Sequence, residues 1–269
     1  MAETKKVVLI TGGSSGIGKS IGDFLFQKGY HVFGTSRNPE AILDSKFPLL
    51  KVDVSDFESI TTAVATIIDQ YGRLDIVINN AGVGITGPLE EIPLEAIKNN
   101  FETNFYGPIS VIKAVLPQMR VQKSGLIINI TSIAAYIGLP YRSVYSASKA
   151  ALQIITESLR LEVQPFGIQI TNVAPGDFET NIAANRFHAP IIKNSPYVAY
   201  QKILDLMNLH VKTGANPDLM AAAIFKIIQN PKPKIHYKVG AFMEKFSIVL
   251  KRVLPDKIYE KMLQNHFKL

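Results

Sequence analysis

Short apolar runs alternate with longer amphipathic patterns over most of the chain, and this alternation restricts the fold more than any other feature. Runs such as Val7–Ile10 are apolar at every position, which is typical of parallel strands covered on both faces. Alternation with short connections predicts an α/β fold, a doubly wound parallel sheet of about seven strands with helices on both faces. The predicted strands are Val7–Ile10, His31–Thr35, Leu49–Val52, Leu74–Ile78, Leu126–Thr131, Ile168–Val173 and Ile235–Val239, and the predicted helices lie near 17–28, 56–71, 94–120, 144–164 and 216–229.

The composition is that of a globular protein with one sizeable core, because 47% of the 269 residues are hydrophobic and 19% are charged. We expect residues 1–240 to form a single domain. The chain has no cysteine and five scattered histidines, so neither a disulfide framework nor a metal site is predicted. It has no signal-peptide core and no run of roughly 18 apolar residues. We therefore expect a soluble, cytoplasmic protein.

The positive charge is concentrated in the last residues. Residues 231–269 hold eight lysines and one arginine against three acids, a balance of +6 out of +7 for the whole chain. The body is thus nearly neutral, and nucleic-acid binding is not predicted. Residues 241–269 are predicted to form a basic amphipathic helical extension, with apolar residues at helical spacing. Two accounts stay open: the extension covers the core or a partner subunit, or it lies on an anionic membrane.

The stretch TGGSSGIGKS, residues 11–20, fits two kinds of phosphate-binding loop. Residues 13–20 match the GxxxxGKS loop of nucleoside-triphosphate hydrolases. Residues 11–18 match TGxxxGxG, a variant of the glycine turn that admits a dinucleotide. Both loops require a strand before them and a helix after them, and the sequence offers both. The local pattern does not separate the two interpretations.

Glycine or polar residues follow six of the predicted strands. The strand ends are the glycine stretch, Ser36-Arg37, Asp53-Val54, Asn79–Gly82, Thr131-Ser132 and Pro175-Gly176. Open α/β sheets bind ligands in the crevice at the carboxyl ends of their strands. These residues therefore predict a ligand site at one edge of the sheet.

Tyr145 and Lys149 are spaced i, i+4 on a predicted helix, so their side chains share a face. An ammonium group beside a phenol favours the phenolate, which suits a general acid or base. Ser132 ends a strand thirteen residues upstream, and the connection can return its hydroxyl to the phenol. The three side chains together indicate proton-transfer chemistry.

This set of residues resembles the short-chain dehydrogenase/reductase family of the Ser-Tyr-Lys type, and within it the steroid- and retinoid-type dehydrogenases. The resemblance covers roughly residues 5 to 240 and implies a Rossmann-like fold. It favours the dinucleotide turn, because a phosphate-hydrolase loop would leave Ser132, Tyr145 and Lys149 unexplained. The matched positions, in the family's order and spacing, are Thr11, Gly12, Gly16, Gly18, Asp53, Asn80, Ala81, Gly82, Asn104, Ser132, Tyr145, Lys149, Pro175, Gly176 and Thr180.

The resemblance implies four catalytic residues. Tyr145 would be the general acid that protonates a carbonyl oxygen, or the base in the reverse direction. Lys149 would assist it and hold the nicotinamide ribose. Ser132 would hydrogen-bond the substrate oxygen, and Asn104 would support a water-linked proton relay.

The resemblance also implies a cofactor site. An NAD enzyme usually offers a carboxylate after strand two, but the sequence there has no acid before Glu40 and offers Arg37 instead. A guanidinium suits the 2′-phosphate of NADP, so NADP(H) is the predicted cofactor. The predicted cofactor-binding residues are Gly12, Ser14, Ser15, Gly16, Ile17, Gly18, Ser36, Arg37, Asp53, Val54, Asn80, Ala81, Gly82, Tyr145, Lys149, Pro175, Gly176 and Thr180.

By family analogy, residues 177–215 would form a substrate lid, with Ser132, Tyr141 and Phe178 touching the substrate. The lid is rich in apolar residues: Phe178, Phe187, Ile191, Ile192, Tyr197 and Met207. We therefore expect hydride transfer between NADP(H) and a lipophilic ketone, aldehyde or secondary alcohol in a homodimer or homotetramer. Two alternatives stay open: a non-catalytic NADP(H) sensor, and a scaffold that binds partners through its basic tail.

Overall fold

The computed structural model describes residues 5–180 and 186–269 as a Rossmann-like α/β domain. Its strands are β1 (Val7–Ile10), β2 (His31–Ser36), β3 (Leu49–Lys51), β4 (Ile76–Asn79), β5 (Ile85–Thr86), β6 (Gly125–Ile130), β7 (Ile168–Pro175), β8 (Phe187–His188) and β9 (His236–Val239). Seven of these strands form one parallel sheet in the order β3-β2-β1-β4-β6-β7-β9, and β5 pairs with β8 in a small second sheet.

Helices connect the strands on both sides of the main sheet. The α-helices are α1 (Gly16–Gln27), α2 (Phe57–Tyr71), α3 (Leu94–Phe101), α4 (Gly107–Gln122), α5 (Ser143–Val163), α6 (Tyr200–Lys212), α7 (Asp218–Ile228), α8 (Phe242–Val253) and α9 (Asp256–Phe267). Short 3₁₀ turns lie at Pro39–Ala41, Leu89–Glu91, Ile133–Ala135 and Gln164–Phe166.

Alternate residues of the strands enter two separate cores, as a doubly wound sheet requires. Val7 and Leu9 of β1 pack in the core that contains α2 and α4. Val8 and Ile10 of the same strand pack in the core that contains α1 and α7. Because both faces are covered, polar side chains that must reach a ligand are confined to the ends of the strands.

One predicted helix, 94–120, is interrupted in the structure. A π-helical turn at Glu102–Tyr106 separates α3 from α4. Pro108 has no N–H to donate to the carbonyl of Asn104, so the regular hydrogen-bond ladder cannot cross this point. The turn carries Asn104 at a fully buried position, and π-turns of this kind are frequent at functional sites.

The C-terminal helices pack against the chain's own body. Ile248 of α8 and Tyr259 of α9 are buried in a cluster with Ile137, which follows β6. The predicted helical extension consists of the two helices α8 and α9, joined at Pro255. In neither described range does a helix have the length and apolar character needed to cross a bilayer.

A buried polar chain ties the centre of the sheet to α5. Asn79 of β4 donates from Nδ2 to Oδ1 of Asn129 on β6 at 2.8 Å. Asn129 in turn donates to the Thr156 hydroxyl at 2.8 Å, and Thr156 donates to the Leu152 carbonyl at 2.7 Å. These bonds hold α5, which carries Tyr145, against the strand that precedes Ser132.

We predict that Thr156→Val lowers the free energy of unfolding by about 1–3 kcal/mol, because Asn129 Nδ2 loses its buried acceptor. Urea denaturation followed by circular dichroism measures this change. Thr66→Val is the matched control, since the Thr66 hydroxyl makes the same i→i−4 bond, to Thr62, but on an exposed helix surface. Equal losses in the two variants would show that the buried chain adds nothing beyond the helix bond.

Candidate active site

The glycine turn between β1 and α1 is fastened to the ends of two neighbouring strands. The Thr11 hydroxyl accepts from the backbone N–H groups of Asn80 and Ala81, both at 3.0 Å. Asn80 Nδ2 donates to the carbonyls of Thr11 and Gly12 at 3.0 and 3.1 Å. On the other side, the Gly12 N–H donates to the Thr35 hydroxyl of β2 at 3.1 Å. The turn is therefore held rigidly at the centre of the sheet edge.

The glycines of the turn permit backbone positions that other residues would block. Gly12 and Gly16 have φ angles of +64° and +51°, in the left-handed region. A β-carbon at Gly18 would collide with the Gly12 carbonyl and the Asn80 amide. A β-carbon at Gly16 would lie 3.3 Å from Thr180, so the residues after β7 reach the start of α1. This leaves an open cradle of the kind that a dinucleotide diphosphate fills at a helix N-terminus.

The structure also explains why the phosphate-hydrolase interpretation of this stretch fails. Lys19 Nζ lies 3.4 Å from an Asp44 carboxylate oxygen and 3.8 Å from one of Asp23. The Ser20 hydroxyl donates to Asp218 on α7 at 2.8 Å. The two side chains that such a loop would use for phosphate and magnesium are therefore engaged on the outside of α1.

The ends of β2 and β3 meet on the other side of the turn. Arg37 is exposed, and its charge acts on Asp53. Hydrogen bonds from the hydroxyl and backbone of Ser55 hold the pKa of Asp53 below its usual value, and the Arg37 charge lowers it further. Ser36 accepts from the Asn38 N–H at 3.2 Å, while Val54 is buried in the core beneath α4. Thus Ser36, Arg37 and Asp53 lie at the sheet edge, and Val54 supports them from below.

Asn104 fixes the chain that follows β4. Its Oδ1 accepts from the Val83 N–H and its Nδ2 donates to the Val83 carbonyl, both at 2.9 Å. The same Nδ2 lies 3.2 Å from the Ser148 hydroxyl of α5. The side chain therefore joins the π-turn, the β4 end and α5 at one buried point.

Lys149 enters the same point from α5. Its Nζ donates to the Ile130 carbonyl at 3.0 Å, and burial lowers its pKa from the usual 10.5 to about 8. A β-carbon at Gly82 would lie 3.2 Å from this Nζ and 3.1 Å from Asn104 Oδ1. Glycine at this position therefore lets the ammonium and the amide approach the end of β4.

Ser132 and Tyr145 line one cavity together. Ser132 caps a 3₁₀ turn by accepting from the Ala134 N–H at 3.1 Å, and it is 7% exposed. Tyr145 is 8% exposed, and the Arg142 guanidinium lies 5.4 Å from its ring centre. Ser132 and Tyr145 thus line the same cavity, and Tyr145 lies one turn of α5 from Lys149.

The cavity has a volume of about 570 Å³ and continues from the glycine turn to the tail helices. Pro175, Gly176 and Thr180 line it at the turn side, together with Ile17. Phe178 also lines it, as predicted for a substrate-contacting residue. The structure does not bring Tyr141 to this cavity.

Tyr141 packs instead against the rings of Tyr197 and Tyr200, at centroid distances of 6.3 and 5.3 Å. Its φ of +57° turns the backbone so that its carbonyl accepts from the Gly87 N–H at 2.9 Å. Among the other apolar residues predicted for the lid, Met207 lines the cavity, whereas Phe187, Ile191 and Ile192 are 37–56% exposed. Residues 181–185 of the predicted lid lie outside the described residues.

Several cavity residues were not predicted. Arg186 lines the wall beside Tyr145, and no motif distinguishes it in the sequence. The tail helices supply much of the opposite wall, although their sequence shows only an amphipathic pattern. The tail residues that line the cavity are Ala241, Met243, Glu244, Ser247, Leu250, Tyr259, Met262, Leu263, His266 and Phe267.

The sequence is similar to those of known oxidoreductases over nearly its whole length. A family model described as short chain dehydrogenase matches residues 6–190. The chain is 40% identical to a 3-ketodihydrosphingosine reductase of Bacteroides thetaiotaomicron, over 96% of this chain and 97% of the relative. It is 34% identical to human retinol dehydrogenase 8, over 87% of this chain and 81% of the relative.

The structure gives the same result. A short-chain dehydrogenase from Streptomyces avermitilis superposes with a TM-score of 0.82 and 31% identity, covering 98% of this chain and 97% of that one. Other structures of this fold contain nicotinamide dinucleotides, some NADP and others NAD or NADH. The chain is therefore a member of the short-chain dehydrogenase family.

Proposed function

We propose that this protein is an NADP(H)-dependent reductase of lipophilic carbonyl compounds, acting on the corresponding secondary alcohols in reverse. The observation that carries the proposal is that Ser132 and Tyr145 line one cavity, which reaches Ile17 beside the glycine turn, while Lys149 is buried one helical turn from Tyr145 on α5. A protein that only sensed the cofactor, or only served as a scaffold, would have no use for these three side chains in this arrangement.

In the proposed mechanism, Ser132 donates a hydrogen bond to the substrate oxygen and holds it near the Tyr145 hydroxyl. The chemistry that a reduced nicotinamide would supply, when bound, is donation of a hydride to the carbonyl carbon. Tyr145 gives its proton to the oxygen, and Ser132 stabilises the charge that develops there. Lys149 assists Tyr145 through its positive charge and would hold the nicotinamide ribose, and Asn104 supports a chain of waters that returns the proton.

The chain's own groups suit a dinucleotide. The glycine turn, with Ser14, Ser15 and Ile17, would hold the diphosphate at the start of α1, and Asn80–Gly82 with Asp53 would flank the adenosine. Arg37 supports a preference for NADP over NAD. It places a positive charge directly after β2, where it could bind the 2′-phosphate, and β2 itself contains no carboxylate that would repel that phosphate. Asp53 offsets part of the Arg37 charge, so the preference for NADP is expected to be moderate.

We predict that Arg37→Met lowers kcat/KM for NADPH by about 10- to 100-fold, the worth of one charge-assisted contact. The value for NADH should change little, since NADH has no 2′-phosphate. Initial rates with both cofactors and one carbonyl substrate measure the effect. Arg120→Met on α4 is the control, because Arg120 is also exposed but stacks on Phe166 away from the turn. An equal loss with both cofactors would contradict the assignment of Arg37.

The cavity supports a lipophilic substrate. Its lining is largely apolar and includes Ile85, Ala134 and Ile137 together with apolar residues of α8 and α9. The two relatives described above are named for lipids, one for 3-ketodihydrosphingosine and the other for retinol. We propose that the described part of the predicted lid, residues 177–180 and 186–215, covers this cavity and that residues 241–269 complete its lining.

We predict that the protein consumes NADPH with at least one apolar ketone or aldehyde from a chain-length series. Tyr145→Phe should lower kcat by a factor of about 100 or more, because the proton donor is lost, while NADPH binding persists. Absorbance of the reduced nicotinamide follows the rate, and Tyr71→Phe on α2 is the matched control. NADPH binding without turnover of any carbonyl in the unmodified protein would favour the sensor alternative.

The assembly and location of the protein stay predictions. Ile154 and Leu161 on α5 are 60% and 72% exposed, which supports the proposed homodimer or homotetramer through this helix. We retain the expectation of a cytoplasmic protein.

We also propose peripheral membrane contact through the outer face of α8. Phe242, Phe246, Val249 and Val253 share this face and are 38–73% exposed, and the two phenyl rings stack at 5.6 Å. Lysines and an arginine flank the stripe, which is the composition of an interfacial helix on anionic lipid. The inner face of α8 is occupied by the core, so the outer stripe is free for this contact.

We predict that the protein co-sediments with vesicles of phosphatidylcholine and phosphatidylserine, and less with phosphatidylcholine alone. Removing two exposed anchors in the double variant Phe242→Gln, Val253→Gln should weaken binding about tenfold or more. The control is Leu43→Gln, Val121→Gln, which removes two apolar side chains at least as exposed, one from the loop before β3 and one from α4. Equal binding of the two double variants would contradict a role for α8.

A further inference from the structure

Arg186 is held in a fixed position at the cavity wall. Residues directly after it form β8, and Phe187 N–H donates to the Gly84 carbonyl at 3.0 Å. Gly84 has no side chain, and a β-carbon there would meet the Arg186 side chain at 2.8 Å from Cγ and 3.0 Å from Nε. The arginine therefore lies flat on the backbone that follows β4, and it is only 8% exposed.

The guanidinium of Arg186 is incompletely satisfied. Its Nη1 is buried and donates to no acceptor within residues 5–180 and 186–269. An arginine stays protonated in proteins. A buried charged donor that lacks a hydrogen-bond acceptor destabilises the folded protein. Such an arrangement is favoured when a ligand supplies the missing acceptor.

The surroundings of Arg186 point to a ligand with negative charge. A second guanidinium, that of Arg142, also lines the cavity, and the two positive charges repel each other. Burial, and then the Arg142 charge, lower the pKa of Arg186.

Of the two acids that line the cavity among the described residues, Glu244 is occupied by backbone N–H groups, whereas the charge of Asp177 acts on Arg186 from a distance and in part offsets the lowering of its pKa by burial. The Glu244 carboxylate accepts from the backbone N–H groups of Asp177 and Ala241, each at 2.7 Å. The Asp177 carboxylate lies 3.8 Å from His210. Across the described ranges, no carboxylate forms an ion pair with Arg186.

We propose that Arg186 binds a carboxylate of the substrate, so that the preferred substrates are oxo acids whose carbonyl lies a few bonds from the acid group. This inference rests on the proposed reductase function and narrows its substrate class. Arg186 lies beside Tyr145, so an anchored carboxylate would place the neighbouring carbonyl near the proton donor. The apolar remainder would extend towards α8 and α9.

A cofactor diphosphate is the other source of an oxyanion near this wall. The cradle at the start of α1, beside Gly16 and Thr180, is where that group is expected. Arg186 lies instead against Gly84 and next to Tyr145, on the side where the carbonyl would be reduced. The geometry therefore favours the substrate.

The test compares 2-oxodecanoate and 4-oxodecanoate with their methyl esters in NADPH-dependent reduction by the full chain. We expect the unmodified protein to reduce at least one acid with a kcat/KM about tenfold or more above that of its ester. Arg186→Met should remove this preference, lowering kcat/KM for the acid about 10- to 100-fold and changing that of the ester by less than about twofold. Arg186→Lys should restore part of the loss, since it keeps the charge.

Three controls separate the outcomes. Lys226→Met removes an exposed cation from α7, outside the cavity and the cofactor site, and should change the kcat/KM of neither substrate. Thermal unfolding shows whether Arg186→Met is folded, and NADPH fluorescence titration shows whether it binds the cofactor.

Equal losses on acid and ester, or an unmodified protein that prefers the esters, would overturn the inference while leaving the reductase function intact. A tenfold weaker NADPH affinity in Arg186→Met would overturn it in favour of the diphosphate. Turnover of no carbonyl at all by the unmodified protein would instead refute the proposed function.

Discussion

The burial of both faces of the parallel sheet is the constraint from which the rest of the site follows. Val7 and Leu9 enter one core and Val8 and Ile10 enter the other, so the middle of each strand has no room for chemistry. The polar groups that can reach a ligand are those at the carboxyl ends, which a parallel sheet brings to one edge. The side chains of Thr11 and Asn80 then join the ends of β1 and β4.

Two buried cations, Lys149 and Arg186, lie against the segment that follows β4, and their hydrogen-bond partners differ. Lys149 has a backbone acceptor in Ile130, and burial lowers its pKa to about 8, close to working pH. Arg186 cannot relieve its burial by losing a proton, and its Nη1 has no acceptor in the part of the chain that the structure describes. The fold therefore lowers the pKa of Lys149, whereas Arg186 keeps its charge and is satisfied best by a bound anion.

The sequence predicts those parts of the site whose positions are set by strand ends and helix spacing. The glycine turn, Ser132, Tyr145 and Lys149 belong to this class, because the sheet edge and the i, i+4 relation fix where they lie. The π-turn around Asn104 was not predicted, since it depends on how Val83 and Ser148 pack. Tyr141 and Arg186 lie in connecting segments, whose paths are decided by tertiary contacts that local patterns do not encode.

Residues of the C-terminal tail line the same cavity as Tyr145 and Arg186. The tail contributes apolar lining through Leu250, Met262 and Leu263, while Arg186 and Arg142 contribute positive charge beside Tyr145. An amphiphile with an acid group would be oriented by this difference in lining, with its head towards Tyr145 and its chain towards α8 and α9. Because the outer face of α8 is also apolar, a substrate released from a membrane would meet the tail first. The same helix would then bring the protein to the lipid and line the space that receives it.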